Sequence, residues 1–297
     1  MKSLFLGTMV AATLFGLSAQ AEKPTFSYVL AGSPSGTFNS FNKELIKDLS
    51  KYYNVIAVPG QSEVKGTVVF KKINGPAYVM VRSGMLNAKQ SIKGKTPVIS
   101  DVKPSSMVMG IGYYKTLCVK AGKSVDDVLL SNGSGVKIAF SDGVSVSTKF
   151  LDNLNRVTGS DNTMVPYKGS GASVQGVIIG ETEGVMVTEA KTPKYTSKGQ
   201  ISCKYSTNSN SKDSLSARLK DSWFGWSYGN LAFGHTKNMS VEESTLLYKI
   251  ITEILADPTT HAGAKARKNM WDIKNVSQSD LYSMYDQSKE DTINLLN

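Results

Sequence analysis

Apolar positions along this chain recur in two periods. Thr25–Leu30, Asn54–Val58, Ala77–Val81, Val136–Phe140, Met164–Tyr167 and Gly184–Val187 are short apolar or alternating runs, several of them closed by Gly, Ser or Pro, and they predict strands. Between them the spacing lengthens to that of a helix. Phe41, Leu45, Ile46 and Leu49 fall on one side of a helix expected over Asn39–Tyr52. A further helix is expected over Ser124–Leu130, opened by an N-cap serine with Asp126 and Asp127 in its first turn. Others are expected over Thr148–Val157 and Ala172–Gly180. Ser240–Ala256 is expected to be a long amphipathic helix, with Val241, Leu246, Leu247, Ile250, Ile251 and Ile254 on its apolar face and Asp257-Pro258 as its stop. Residues 279–296 read as helical again, and the Ser/Asn/Lys-rich stretch 205–221 reads as a surface insertion.

Strands alternating with helices imply α/β layers with a largely parallel sheet. In such sheets ligands bind beyond the carboxyl ends of strands, where helix N-termini present free N–H groups and partial positive charge. The loops at 33–39, 141–147 and 168–171 are of this kind. Each is rich in Gly and Ser, a combination that suits carboxylate capture and also makes a good turn. Ser35, Gly36, Thr37, Ser141, Ser145, Ser147, Ser170 and Gly171 are the candidate donors, and Phe38 is a candidate wall. Arg82 follows an apolar strand; its readings are a partner for a ligand acid or a surface arginine.

The N-terminus sets the expected compartment. Met1-Lys2, an apolar core from Leu4 to Leu17 and the small-x-small pattern Ala19-Gln20-Ala21 predict a signal peptide cleaved after Ala21. The expected location is therefore periplasmic. The net charge of +10 is dispersed, and Lys265-Ala-Arg267-Lys268 reads as a solvated helix end. No aromatic-interleaved basic motif accompanies it, so nucleic acid is not an expected partner. A positive surface does favour anionic ligands. Cys118 and Cys203 each lie in an extended-looking stretch, and the alternatives are one disulfide or two buried thiols; an exported chain favours the disulfide. No metal-ligand spacing is present, and no metal or other cofactor is expected. A Gly-x-Ser-x-Gly nucleophile motif is missing, and Gly122-Lys123-Ser124 lacks the upstream glycine of a phosphate loop because position 117 is Leu. The chain is therefore not expected to be an enzyme.

Several motifs together resemble one family. Val165-Pro-Tyr-Lys-Gly-Ser-Gly171 is similar to a stretch in the periplasmic substrate-binding proteins of tripartite tricarboxylate transporters, the Bug proteins. Ser35-Gly-Thr37, Pro59-Gly60, Leu117-Cys-Val119, Val136–Ser141, Gly184-Val-Met186, Ser222-Trp-Phe-Gly225 and Leu255-Ala-Asp-Pro258 follow in the family's order. The resemblance implies a two-lobed α/β "Venus flytrap" of the type II periplasmic binding class. One lobe would combine 22–120 with 224–297, the other would be 121–223, and a ligand cleft would lie between them. It adds Tyr167 and Thr188 to the candidate site. It implies capture of a small organic anion, a carboxylate, by a monomeric protein that serves membrane transporter subunits. The alternatives are a sensor that presents ligand to a membrane receptor, or an enzyme on the same bilobal fold. Family members carry a Gly-rich first loop followed by an Arg in the helix; here the loop is Ser33-Pro-Ser-Gly-Thr-Phe38 and Asn42 stands near the Arg position. The ligand's identity is therefore left open.

Overall fold

The computed structural model describes residues 22–32, 34, 36–61, 63–81, 107–130, 134–141, 145–226, 230–277 and 279–287. The signal peptide expected over 1–21, Ser35 and Arg82 lie outside the described residues. The strands fall into two sheets, and each sheet has its own core. Among the described residues the first sheet has six strands and the second five.

In the first sheet, β1 (Thr25–Leu30) runs parallel to β2 (Asn54–Pro59) and to β3 (Ala77–Val81). Next to β3 lies β10 (Asn230–Lys237), antiparallel to it, and then β4 (Met107–Tyr113) and β11 (Asp272–Lys274). Helix α1 (Thr37–Leu49) buries Phe41, Leu45 and Leu49 on one face of this sheet, as their helical spacing requires. Val241–Ala256 and His261–Lys268 pack on the same face. The longer of these helices starts on a full capping box: the Ser240 hydroxyl accepts from the Glu243 N–H, and the Glu243 carboxylate accepts from the Ser240 N–H. The shorter one is held at its N-terminus by Asp48 of α1. That carboxylate accepts from the Ala262 N–H at 2.8 Å and meets His261 Nδ1 at 2.9 Å. Helix α2 (Glu63–Lys72) covers the opposite face through Phe70, beside Leu281 and Tyr285 of a helical segment at 279–287.

In the second sheet, β6 (Lys137–Phe140) is parallel to β7 (Thr163–Pro166) and to β8 (Gly184–Thr188). Then β5 (Lys115–Lys120) lies antiparallel to β8 and to β9 (Ile201–Ser206). Helices α3 (Val125–Leu129) and α4 (Ser145–Thr158) pack on one face around Phe140, Phe150 and Phe224. Helix α5 (Ser170–Ile178) covers the other face through Val174 and Val177. Cys118 and Cys203 are cross-strand partners of β5 and β9 and form a disulfide.

Three expectations change. Residues 115–120, allotted by sequence to the first lobe, form β5 of the second sheet, and Phe224 is fully buried in the second core. The 205–221 stretch is no free insertion. Leu215 is buried in the second core, and Asp126 accepts hydrogen bonds from Tyr205, Lys204 and Arg218. Those bonds, led by that of the Tyr205 hydroxyl, hold the Asp126 carboxyl down at about 2. The Ser145–Ser147 stretch is the first turn of α4 and not a loop.

Candidate functional site

The connection between the sheets decides where the loops go. Strand β4 ends at Tyr113 and β5 begins at Lys115, so the chain crosses from one sheet to the other in the single residue Tyr114. Because β4 is antiparallel to β10, and β10 to β3, β4 points the same way as β1, β2 and β3. The crossing therefore leaves the first sheet at the carboxyl edge of its parallel strands. Lys115 stands opposite Thr188, the last residue of β8, and β8 is parallel to β6. The crossing thus enters the second sheet at that sheet's carboxyl edge as well. The chain returns after Trp226, and β10 starts at Asn230 opposite Tyr113, again at the carboxyl edge. The carboxyl ends of β1, β2 and β3 and those of β6, β7 and β8 all lie on the side of this junction.

On the first lobe, the loop after β1 leads into α1. Gly36 is the N-cap, with an extended backbone and no side-chain cap, so the first-turn N–H groups of α1 have no capping oxygen from it. Thr37 is the first helical residue and is half-buried. Phe38 is half-buried too, 6.1 Å between ring centroids from Trp271, which in turn packs edge-on against Phe41. Phe38 and Trp271 thus form an aromatic wall at this end of α1. Gly60 and Gly66 allow the neighbouring loop to pack closely. A Cβ on Gly66 would lie 2.6 Å from that of Ala31.

On the second lobe, backbone hydrogen bonds tie two loops together. The Tyr167 N–H donates to the Phe140 carbonyl at 2.9 Å, and the Gly169 N–H to the Ser141 carbonyl at 3.0 Å. Gly169, the N-cap of α5, sits at φ +96°, a region that favours glycine, and supplies no side-chain cap. The first turn of α5 at Ser170 and Gly171 therefore opens uncapped at the junction. Gly171 is exposed, and a Cβ there would lie 3.8 Å from the Tyr195 hydroxyl. Ser141 and Thr188 are half-buried at the same edge. Ser145 opens α4, whereas Ser147 is only 1% exposed.

Tyr167 lies in the segment the sequence marks most strongly, yet its side chain takes another direction. A Cβ on Gly176 would sit 2.3 Å from its hydroxyl, so the ring runs along α5 toward the helix's far end. Burial raises the pKa of that hydroxyl, and Glu181, beyond α5, adds to the effect. Gly176 is six residues from Ser170, about 9 Å of helix. The structure therefore does not bring the Tyr167 hydroxyl to Ser170.

The junction also gathers Tyr114, Asp272 and Lys191, which sequence reasoning missed. The Tyr114 hydroxyl donates to Asp272 Oδ2 at 2.8 Å, and its carbonyl accepts from the Glu189 N–H at 3.1 Å. Burial raises the Tyr114 pKa, and the carboxylates of Asp272 and Glu189 raise it further. Lys191, just past β8, is half-buried. Its amine is held below the usual lysine range by burial first, then by the charges of Lys265, Lys268 and Lys194. Only topology brings these residues together; they are scattered between positions 114 and 272, so no local motif announces them. Among the described residues, no three His, Cys, Asp or Glu side chains gather as metal ligands. A small apolar hollow lined by Pro24, Phe26, Tyr53, Met239 and Leu247 lies at the opposite, amino end of β1.

No protein-family model and no curated protein matches the sequence. Solved structures do match. A TctC solute-binding protein from Polaromonas, without ligand, superposes with a TM-score of 0.66 at 14% identity, over 93% of this chain and 99% of that one. An R. palustris protein with adipate gives 0.64 at 15%, over 93% and 96%. MatC from Rhodopseudomonas palustris with bound malate gives 0.62 at 10%, over 92% and 99%. The chain has the two-lobed α/β fold of these binding proteins.

Proposed function

We propose that this chain is a periplasmic solute-binding protein of the tripartite tricarboxylate type, which captures a small organic carboxylate in the gap between its lobes and delivers it to membrane transporter subunits. The observation that carries this reading is the one-residue crossing at Tyr114, which links the carboxyl edges of both sheets. The uncapped first turns of α1 and α5 then approach one gap from two lobes. Helix N-termini favour anions, and a ligand touching both lobes favours closure because it binds the closed arrangement better. The fold shared with proteins that hold adipate and malate supports the same ligand class.

In this reading the first lobe is 22–113 with 230 onward, and the second is 115–226. Gly36, Thr37 and Phe38 face Ser141, Ser145, Ser170, Gly171 and Thr188. The protein binds as a monomer and does not turn its ligand over. Hydrogen bonds to a carboxylate contribute roughly 1.5–3 kcal/mol each. Four or five of them support micromolar binding, about −8 kcal/mol, after the costs of association. The test is a thermal-shift screen against mono-, di- and tricarboxylates, aromatic acids and amino acids, since a ligand of the folded state raises the melting temperature. Ser170→Ala and Thr37→Val should each weaken the identified ligand roughly 10- to 100-fold with the fold intact. Parent-like binding by both variants would refute the site.

A further inference from the structure

Two lysine-bearing segments from different lobes are pinned together at the crossing. Glu189 opens the single turn Glu189–Lys191 that follows β8, and its N–H is bonded to the Tyr114 carbonyl. Asp272 opens β11, and its carboxylate is bonded to the Tyr114 hydroxyl. Lys191 lies two residues from the first anchor. Lys265 and Lys268 occupy the last turn of the helix His261–Lys268, which leads through Trp271 into the second anchor. Tyr114 thus holds the two segments at one place, and the charges of Lys265 and Lys268 act on the Lys191 amine.

This cluster lacks internal compensation. Among the described residues no carboxylate lies within ion-pair distance of Lys191, Lys194, Lys265 or Lys268. The acid that opens β11 is engaged elsewhere: Asp272 accepts from Tyr114 and Lys274. Arg267, in the same helical turn, is committed to the Leu255 and Ala256 carbonyls that end the preceding helix. Lys194 stacks on Tyr195, its amine 5.3 Å from the ring centroid. The Tyr195 hydroxyl in turn lies under Gly171, in the uncapped first turn of α5. The lysines thus border the carboxylate gap rather than a remote surface. Half-burial of Lys191 weakens solvent screening there, and like charges facing each other oppose closure until an anion separates them.

We propose that Lys191 from the second lobe, with Lys265 and Lys268 from the first, forms a clasp for a second acidic group of the ligand, so that the protein selects dianions over monoanions. The inference rests on the carboxylate-binding reading above and adds to it the residues that set charge selectivity. One acidic group sits at the helix N-termini. The other neutralises the clasp, and closure then brings the two sets of lysines onto it.

The experiment compares chain-matched acids by calorimetry: adipate with hexanoate, and succinate with butyrate. The parent should prefer the diacid of at least one pair by roughly 10- to 100-fold, the worth of one hydrogen-bonded charge pair. In Lys191→Gln, and separately in the double variant Lys265→Gln/Lys268→Gln, that ratio should fall toward one. An unchanged ratio in both variants, or a parent without preference, overturns the clasp. A second arm needs no ligand. Small-angle scattering of the ligand-free protein should show a smaller radius of gyration at 0.5 M than at 20 mM NaCl, and Lys191→Glu should abolish that difference. If no acid binds the parent, the carboxylate reading falls and the clasp is decided by scattering: an equal salt response in parent and variant overturns it.

Discussion

His235 makes stability pH-dependent in a window where few other side chains titrate. It lies in β10 opposite Val79, 1% exposed, and neither ring nitrogen has a hydrogen-bond partner among the described residues. The Tyr285 ring packs edge-on against it. Burial pushes its pKa down from 6.5 to about 3. The unfolded chain then binds a proton between these values that the folded chain does not. Stability is full above the unfolded pKa and is lost progressively as pH falls below it. From pH 7 to pH 5 the loss is about 2 kcal/mol, and it hardly changes if the folded pKa is anywhere below about 4. Urea unfolding followed by tryptophan fluorescence at both pH values, on the parent and on His235→Leu, measures it. The parent should lose about 2 kcal/mol more than the variant over this interval, because every other titrating group is common to both. Equal losses would mean that the folded protein protonates His235 at no cost, and the argument from burial would be wrong.

Asp48 governs a different range. Burial pushes its carboxyl up, but hydrogen bonds from Ala262 and His261 more than offset this and hold it below the usual value. Its contribution is therefore present above the unfolded pKa and lost as pH falls through the lowered folded one. Asp48→Ala should cost about 3 kcal/mol at pH 7 by urea unfolding, the worth of two hydrogen bonds to a charged group, and much less at pH 2. The disulfide joins residues 85 apart in sequence. Replacing both cysteines with alanine should lower stability by about 2–5 kcal/mol, with loop-closure entropy setting the upper end, and reductant should then have no further effect.

Most of the fold was legible because most elements announce themselves locally. Thr25–Leu30 and Ala77–Val81 form strands at their expected bounds. Ser240 caps the helix Val241–Ala256 where the sequence places its start. Helix α2 was not legible. Gly66, Thr67 and three valines make Glu63–Lys72 a poor helix by propensity, and tertiary packing overrides this. Gly66 is what lets the helix lie against Ala31. β4, β10 and β11 were missed as well, since glycines blur the alternation in β4 and β10, β11 is only three residues long, and their pairing is long-range. Gly/Ser patterning picked out the stretches after β1 and β7 that open α1 and α5, because an N-cap without a capping side chain suits glycine. It could not tell that Tyr167 lies along α5 toward Gly176, or that Tyr114 is the crossing point. The first depends on side-chain direction, the second on how distant strands are ordered.

The two crossings also set a timetable for assembly. The second sheet is built from 115–206 without interruption. The first is split: β10 lies between β3 and β4, and among the described residues β4 pairs only with β10 and β11. A chain emerging from its N-terminus can complete the second lobe while β4 still has both edges bare. The first lobe closes only when the segment from Asn230 onward arrives and β10 inserts between strands that have been waiting for it. Such long-range insertion is slow and leaves unpaired edges exposed meanwhile. The segment from Asn230 onward therefore decides when β3 and β4 become parts of one sheet.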